Sequence, residues 1–409
     1  MKYSILCSLA YLLLTTLVSH GIAEPINSQS AQVVQEAGRA ATPLQESAET
    51  YLKEGTQFLQ LRRYDKAIES FKNAIRLQAD LAPAHLGLGS AYLQLGSYSE
   101  AVECVKRAVA INPEDAGAHQ VLGNVYMAMR RPGEAATAYK EAIRLNPKAV
   151  EAHLGLGNVY GNTGRLEQAI EAYGEALRLN PNLTAAHHNL GLAYFQAGRM
   201  EEAIASFKRA IQQNPRDAQA ANMIGEANNR LGHYVEAVEA YERLEQLAPL
   251  QAGTLVNRGF AYLYLGRGEA AATDAQAALK MRGWRHESAP FLALLAHFGY
   301  RQAKRETEAG KVLDEATAQL DAITWPNAVL RYLRREITAQ SLLTAPMNND
   351  QMTEARAYLG MDLALAGKKD EALVHLRWVK EYGNRNFVEY PMAVTEISRL
   401  EGGAALPRR

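Results

Sequence analysis

The feature that most constrains the fold of this chain is a pattern that recurs every 34 residues. Its prolines, each preceded by asparagine or alanine, are Pro113, Pro147, Pro181, Pro215 and Pro249. Glycine recurs with the same period, as Gly55, Gly89, Gly123, Gly157, Gly191, Gly225 and Gly259. A fixed period of this length is typical of supersecondary units that bury their apolar faces only by stacking on their neighbours. We therefore expect an array of repeats in place of one compact core.

Each unit of the pattern predicts two helices. In the fourth unit, apolar and small residues fall on one helical face over about 150–162, with Gly157 at its centre. A second helix is predicted over about 167–179, with Ala169 and Tyr173 on its inner stripe. The small residues would let the paired helices approach closely, and the aromatic ring would fill the space beside them.

The pattern resembles the tetratricopeptide repeat family. In the fourth unit the resemblance is carried by Leu156, Gly157, Tyr160, Ala169, Tyr173, Ala176 and Pro181. Seven such units cover about residues 48–283, and two weaker ones cover about 290–323 and 353–385. The resemblance implies an all-α fold, a right-handed superhelical solenoid of helix–turn–helix repeats. A degenerate helical part over 284–409, with a capping helix, would complete it.

The charge of the chain is balanced, with 44 Lys and Arg against 44 Asp and Glu. A nucleic-acid-binding protein usually shows a basic excess on one domain, so we expect no nucleic-acid partner. The balance also gives no reason to expect electrostatic attraction to a membrane.

Residues 1–23 have the pattern of a secretory signal peptide, in which Lys2 precedes an apolar run and Gly21 and Ala23 mark a cleavage site. The alternative is an uncleaved anchor, although the run is shorter than the roughly 20 residues of a membrane span. Residues 24–46 are small and polar, which predicts a flexible linker. We expect an exported protein, periplasmic or secreted and favouring a bacterial envelope, without a membrane span after cleavage.

Two motifs suggest chemistry. The glycines of EAHLGLGNVYGNTG, at 151–164, resemble a phosphate loop, but such a loop needs a strand–helix junction and these glycines lie inside a predicted helix. The second motif is a ladder of histidines, His85, His119, His153 and His187. Stacked helices lie about 8–10 Å apart, whereas zinc ligands lie about 2.0–2.1 Å from the ion. We therefore expect packing histidines, and no metal, cofactor or catalytic group.

In the resembled family, the first helix of each unit lines a concave groove that holds segments of partner proteins. The resemblance implies a groove rich in amides at its middle and apolar toward its C-terminal end. The predicted groove residues are Asn124, Asn158, Asn162, His188, Asn189, Phe195, Gln196, Asn222, Asn229, Arg230, Asn257, Phe260 and Tyr264. Amides both donate and accept hydrogen bonds, which suits the backbone of an extended peptide. The alternative is that they form only a solvated inner surface.

The C-terminal part contains two further amphipathic segments. The first, WPNAVLRYLRREITAQSLL at 325–343, predicts a helix whose apolar stripe is Val329, Leu330, Leu333 and Ile337. The second, over 381–401, would cover the outer face of the last repeat, which has no neighbour. Its residues 383–390 are similar to the ending of the NlpI-type envelope lipoproteins, which act as adaptors for envelope enzymes. The lipid-attachment cysteine of that group is absent at the expected place.

These observations predict a scaffold or adaptor that binds other proteins or peptides along the groove and has no chemistry of its own. The alternative is a targeting or regulatory component of an enzyme system, such as a glycosyltransferase or an envelope hydrolase complex. Against a glycosyltransferase, only about 120 residues follow the regular array, and they read as helical.

Overall fold

The structure is a computed structural model that describes residues 47–320 and 325–402. Within those ranges the chain forms 21 helices and no strand, which confirms the all-α repeat fold. The predicted signal peptide and linker lie outside the described residues. None of the described helices combines the length and the hydropathy that a bilayer crossing requires.

The described helices fall into two compact units, which divide between Met129 and Arg130. The first unit contains α1 (Ala48–Gln60), α2 (Tyr64–Leu77), α3 (Ala82–Leu95), α4 (Tyr98–Ile111) and α5 (Ala116–Ala128). The second unit begins with α6 (Pro132–Leu145), α7 (Val150–Asn162), α8 (Leu166–Leu179), α9 (Thr184–Gln196), α10 (Met200–Gln213) and α11 (Ala218–Leu231). It continues with α12 (Tyr234–Leu247), α13 (Ala252–Tyr264), α14 (Gly268–Arg282), α15 (Ala289–Gln302) and α16 (Glu306–Gln319). It ends with α17 (Asn327–Leu333), α18 (Ala339–Thr344), α19 (Asn349–Leu365), α20 (Lys369–Tyr382) and α21 (Glu389–Leu400).

The Asn–Pro pairs of the sequence end the second helix of a repeat. At 146–147, the Oδ1 atom of Asn146 accepts a hydrogen bond of 3.0 Å from the backbone N–H of Lys148. Asn112, Asn180 and Asn214 make the same bond to the residue two positions on. The asparagine side chain therefore fixes the turn while the proline prevents the helix from continuing.

The recurring glycine lies where two helices touch most closely. A methyl group added at Gly157 of α7 would lie 2.6 Å from ring carbons of Tyr173 on α8. The same relation joins Gly55 to Phe71, Gly191 to Phe207 and Gly225 to Tyr241. In these four repeats, the 34-residue glycine thus packs against the aromatic residue of the second helix, as the sequence predicted, whereas Gly89 packs against Val105.

The segment 325–343 does not form the single helix that we predicted. It forms α17 and α18, because the backbone of Arg335 takes the left-handed conformation (φ +65°) and interrupts the helix. Val329, Leu330 and Leu333 are buried as expected, whereas Ile337 lies beyond the break and is half-buried.

The interruption brings basic and phenolic groups to one buried carboxylate, Asp362 of α19. Its oxygens accept hydrogen bonds from the Tyr332 hydroxyl at 2.7 Å and from Nη1 of Arg335 at 2.8 Å, and Arg301 pairs with it as well. Burial opposes the ionisation of Asp362, but the bonds from Arg335 and Tyr332 outweigh it and lower its pKa. This ion cluster ties α15, the α17–α18 segment and α19 together.

The last helix, α21, packs against α19, α20 and α13. Met392, Ala393 and Ile397 are its buried apolar residues. The amphipathic ending expected from the sequence is therefore present, and it also contacts a first helix of the regular array.

Candidate partner-binding groove

The predicted groove residues lie on the first helices of the pairs, and we keep the name "groove" for the surface that α7, α9, α11 and α13 form in the second unit. Asn124 is half-buried on α5, which belongs to the first unit. The remaining twelve residues differ in their burial and in how many of their polar groups already form hydrogen bonds within the protein.

Asn158 is a junction between three helices. Its Oδ1 atom accepts hydrogen bonds from the Tyr173 hydroxyl at 2.9 Å and from Nδ2 of Asn189 at 2.8 Å. Burial raises the pKa of Tyr173 to about 12, so the phenol keeps its proton and donates at neutral pH. Within the described residues, Nδ2 of Asn158 and Oδ1 of Asn189 form no hydrogen bond.

A second pair of amides stands on α11. Oδ1 of Asn222 accepts a hydrogen bond of 3.0 Å from the Thr254 hydroxyl, and Nδ2 of Asn229 donates to the backbone oxygen of Asn257 at 2.9 Å. Oδ1 of Asn229 is buried and has no hydrogen-bond partner among the described residues. Asn257 itself is half-buried on α13. Part of the amide chemistry therefore links neighbouring helices and is not open to a ligand.

His188 is held by a carboxylate that the sequence analysis did not select. Its Nδ1 atom lies 2.8 Å from Oδ2 of Asp217, and the two side chains are only 15% and 12% exposed. Asp217 also accepts a hydrogen bond from the backbone N–H of Ala220, which caps α11. The His188 ring meets Phe207 edge to face at 5.7 Å. The ring is thus fixed in place by α10 and by the start of α11.

The exposed members of the set are Asn162, Gln196 and Arg230. The guanidinium of Arg230 lies 4.3 Å from the centre of the Phe195 ring and donates to Glu226 at 3.0 Å. Phe195 is almost fully buried beneath it. These side chains form the rim of the groove, where a cation lies directly over an aromatic ring.

Phe260 and Tyr264 do not form the open apolar end that the sequence predicted. They are 8% and 9% exposed, and the Tyr264 hydroxyl donates a hydrogen bond of 2.7 Å to the backbone oxygen of Val388, just before α21. The chain covers this end with its own C-terminal helix, which the sequence pattern of α13 alone does not reveal.

The histidine ladder has a structural explanation. In each of the four, Nε2 lies 2.9–3.1 Å from the backbone oxygen six residues earlier, in the loop between repeats. The oxygen only accepts, so Nε2 carries the proton and donates. The described residues contain no group of His, Cys, Asp and Glu arranged to hold a metal ion. Gly155 and Gly157 lie inside α7, so they do not form a phosphate loop either.

Comparison with known sequences identifies the repeats. The family described as the cilia and flagella-associated protein 70 C-terminal domain, a tetratricopeptide repeat region, matches residues 27–223, and a tetratricopeptide repeat family matches residues 353–378. These segments contain tetratricopeptide repeats. The first match covers just under half of the chain. No curated protein sequence matches the chain.

Among solved structures, several proteins are similar over parts of the chain. The crystal structure of MamA is 29% identical, with 42% of this chain and 95% of that chain covered, at a TM-score of 0.38. A thermophilic tetratricopeptide repeat protein of Thermus thermophilus is 29% identical over 44% of this chain and 98% of its own, also at 0.38. Pseudomonas aeruginosa pilF is 23% identical over 49% and 91%, at 0.43. TM-scores at this level carry no functional inference.

Proposed function

We propose that this protein is a scaffold or adaptor that binds segments of other proteins along the groove and performs no chemistry of its own. The observation that carries the proposal is the pair Asn158 and Asn189. These side chains are half-buried and hydrogen-bonded to each other, yet Nδ2 of Asn158 and Oδ1 of Asn189 have no partner within the described residues. An amide donor and an amide acceptor on two linked side chains match the N–H and C=O groups of an extended peptide.

The surroundings of that pair support a protein partner. His188, held by Asp217, and Asn222 lie on the neighbouring helices α9 and α11, and the Arg230–Phe195 contact adds a cation and an aromatic surface at the rim. Side chains that are already positioned lose little conformational entropy on binding, which favours recognition by a preformed surface. The signal-like residues 1–23 support an exported protein in a periplasmic or secreted setting.

The proposal is tested by crosslinking the whole protein in extracts of its native source and comparing two variants. In the groove variant, Asn189→Ala is combined with Asn222→Ala, which leaves the Asn158–Tyr173 bond in place. In the control variant, Gln212→Ala removes an exposed amide from α10, the second helix of a pair. We expect a partner that the parent and the control variant capture and the groove variant loses, with helical content unchanged by circular dichroism. Equal capture by all three proteins would place the interface elsewhere and contradict the proposal.

A further inference from the structure

Helix α21 occupies the end of the groove where a partner would meet Phe260 and Tyr264. Besides the bond from Tyr264 to the backbone of Val388, the side chain of Thr395 on α21 lies near the phenol of Tyr234 on α12. The ring centres of Tyr234 and Tyr264 are 4.7 Å apart. Two phenols of the array thus lie against α21 and the residue just before it.

Two buried carboxyl groups without a cation lie close together, one at the start of α21 and one on α19. Glu389, the first residue of α21, is 3% exposed and accepts a hydrogen bond of 2.6 Å from the Tyr358 hydroxyl. Glu354 of α19 is 7% exposed and accepts one of 2.6 Å from Nε1 of Trp325. Within the described residues neither forms an ion pair, whereas the buried Asp362 pairs with two arginines. A buried carboxyl group with only neutral donors favours its uncharged form.

The nearby charged groups leave the two carboxyl groups uncompensated. Asp350, on α19, adds a further negative charge near Glu354. From α13 the group that faces Glu389 is the neutral phenol of Tyr264. The arginines of α19, α20, α21 and the segment between the last two have other contacts. Arg356 of α19 lies 4.7 Å from the Trp378 ring and Arg385 lies 5.9 Å from the Tyr390 ring. Arg377 of α20 pairs with Glu401, and Arg399 of α21 pairs with Glu396.

Both carboxyl groups bind their protons more tightly in the docked arrangement. Burial, followed by the charges of Glu389 and Asp350, raises the pKa of Glu354 to about 7 despite the bond from Trp325. Burial also raises the pKa of Glu389. When α21 leaves, contact with solvent returns the pKa values of both carboxyl groups toward the ordinary value of about 4.3. Docking of α21 is therefore most favourable below about pH 4.3. The contribution of the two protonated groups to docking is lost as the pH rises through about 7.

We propose that α21 is a pH-sensitive clasp, which undocks when Glu354 and Glu389 ionise and uncovers the apolar end of the groove. The consequence for partners rests on the proposed function, but the undocking itself is a property of the free protein. It is therefore measured without a partner, and its failure is distinct from a failure of the proposed function.

The test is hydrogen exchange of the whole chain, followed by mass spectrometry at about pH 5 and about pH 8 and corrected for the intrinsic exchange rates. We expect the opening equilibrium of α21 to rise on the order of a hundredfold between the two conditions, with little change in α7 and α8. The variant Glu354→Gln, combined with Glu389→Gln, keeps the shape of both side chains and removes the titration. It should show a pH response in α21 several-fold smaller than that of the parent.

The matched control is Glu396→Gln, which alters the other buried carboxylate of α21, one that pairs with Arg399. This variant should retain the pH response of the parent in α21, even if its amides exchange faster at both pH values. Two results would overturn the proposal. One is an opening equilibrium of α21 equal to those of α13 and α19 at both pH values, which would show that α21 is a fixed cap. The other is an unchanged pH response when both glutamates are replaced.

Discussion

Arg258 and Asp274 form a buried ion pair with two hydrogen bonds between α13 and α14. Nε of Arg258 lies 2.7 Å from Oδ2 of Asp274 and Nη2 lies 2.9 Å from Oδ1, and the two side chains are 7% and 6% exposed. In the fourth repeat, the same positions hold Leu156 and Ala172, both buried. The pair therefore replaces an apolar contact of the regular repeat.

Replacing only Arg258 should destabilise the protein strongly. In Arg258→Leu, the carboxylate of Asp274 loses its partner inside the protein, which costs about 3–5 kcal/mol. The double variant Arg258→Leu/Asp274→Ala rebuilds the apolar contact of the fourth repeat and should recover most of that loss. Urea unfolding midpoints of the parent, the single and the double variant measure the difference. A double variant as unstable as the single one would show that packing, and not the unpaired charge, sets the cost.

Gly157 and Gly174 offer a matched pair of glycine substitutions. Gly157→Ala places a methyl group against the Tyr173 ring, so we expect an overpacking cost of about 1–3 kcal/mol, partly offset by better helix propensity. Gly174 lies within α8 with open space where its Cβ would be, so Gly174→Ala should stabilise by about 0.5–1 kcal/mol. Thermal unfolding, monitored by circular dichroism, distinguishes the two variants by their unfolding temperatures. Equal effects would contradict the close approach of α7 and α8.

The histidine ladder should respond to deletion but not to zinc. His187→Ala removes the bond from Nε2 to the backbone oxygen of Pro181 and should cost about 0.5–1.5 kcal/mol. Added Zn²⁺ should leave the unfolding temperature of the parent unchanged, because the four histidines each donate to a different loop. A zinc-dependent rise in that temperature, lost in His119→Ala, would restore the metal hypothesis.

His297 should make the second unit sensitive to acid. Burial lowers the pKa of this histidine to about 4, against the bond from its Nδ1 to the backbone oxygen of Ala309. The folded state favours the neutral ring, so stability is lost as the pH falls from about 6.5 toward about 4, by at most about 3 kcal/mol. Urea unfolding at several pH values should show a smaller acid loss in His297→Gln. An identical acid loss in both proteins would assign the effect to other groups.

The helices of the regular repeats were predictable from the sequence because local rules agree there. The glycine–aromatic contact and the Asn–Pro turn each repeat with the 34-residue period, so the bounds predicted for α7 and α8 match the structure to within one residue. The break at Arg335 was not predictable from the local pattern, because a non-glycine residue takes a positive φ there and its side chain pairs with Asp362, 27 residues away. The apolar stripe continues to Ile337, so it gives no sign of the break or of the ion pair between Arg335 and Asp362.

The helices that carry the predicted groove residues were predictable, but the hydrogen-bond partners of those residues were not. The resemblance placed Asn158, Asn189 and His188 on neighbouring first helices, where the structure also has them. It did not predict the hydrogen bonds that these side chains form within the protein, because Tyr173 and Asp217 come from other elements of the fold. A hint was present for the phenols, since Tyr173 and Tyr241 fill the same slot of the repeat. Nothing in α13 alone indicated that a segment 124 residues later would cover Tyr264.

The contact between Tyr264 and Val388 changes how the C-terminal section can come apart. In a stack where each unit meets only the next, the terminal helices fray first and unravelling proceeds inward one unit at a time. Here the last helix reaches back across 124 residues to the seventh repeat. This contact closes a loop around the described helices between α13 and α21. The last helix must therefore separate from α13 before those helices can unfold one by one from the C-terminal end. A protease that enters from the C-terminal side would therefore reach the helices between them only after α21 has separated from α13.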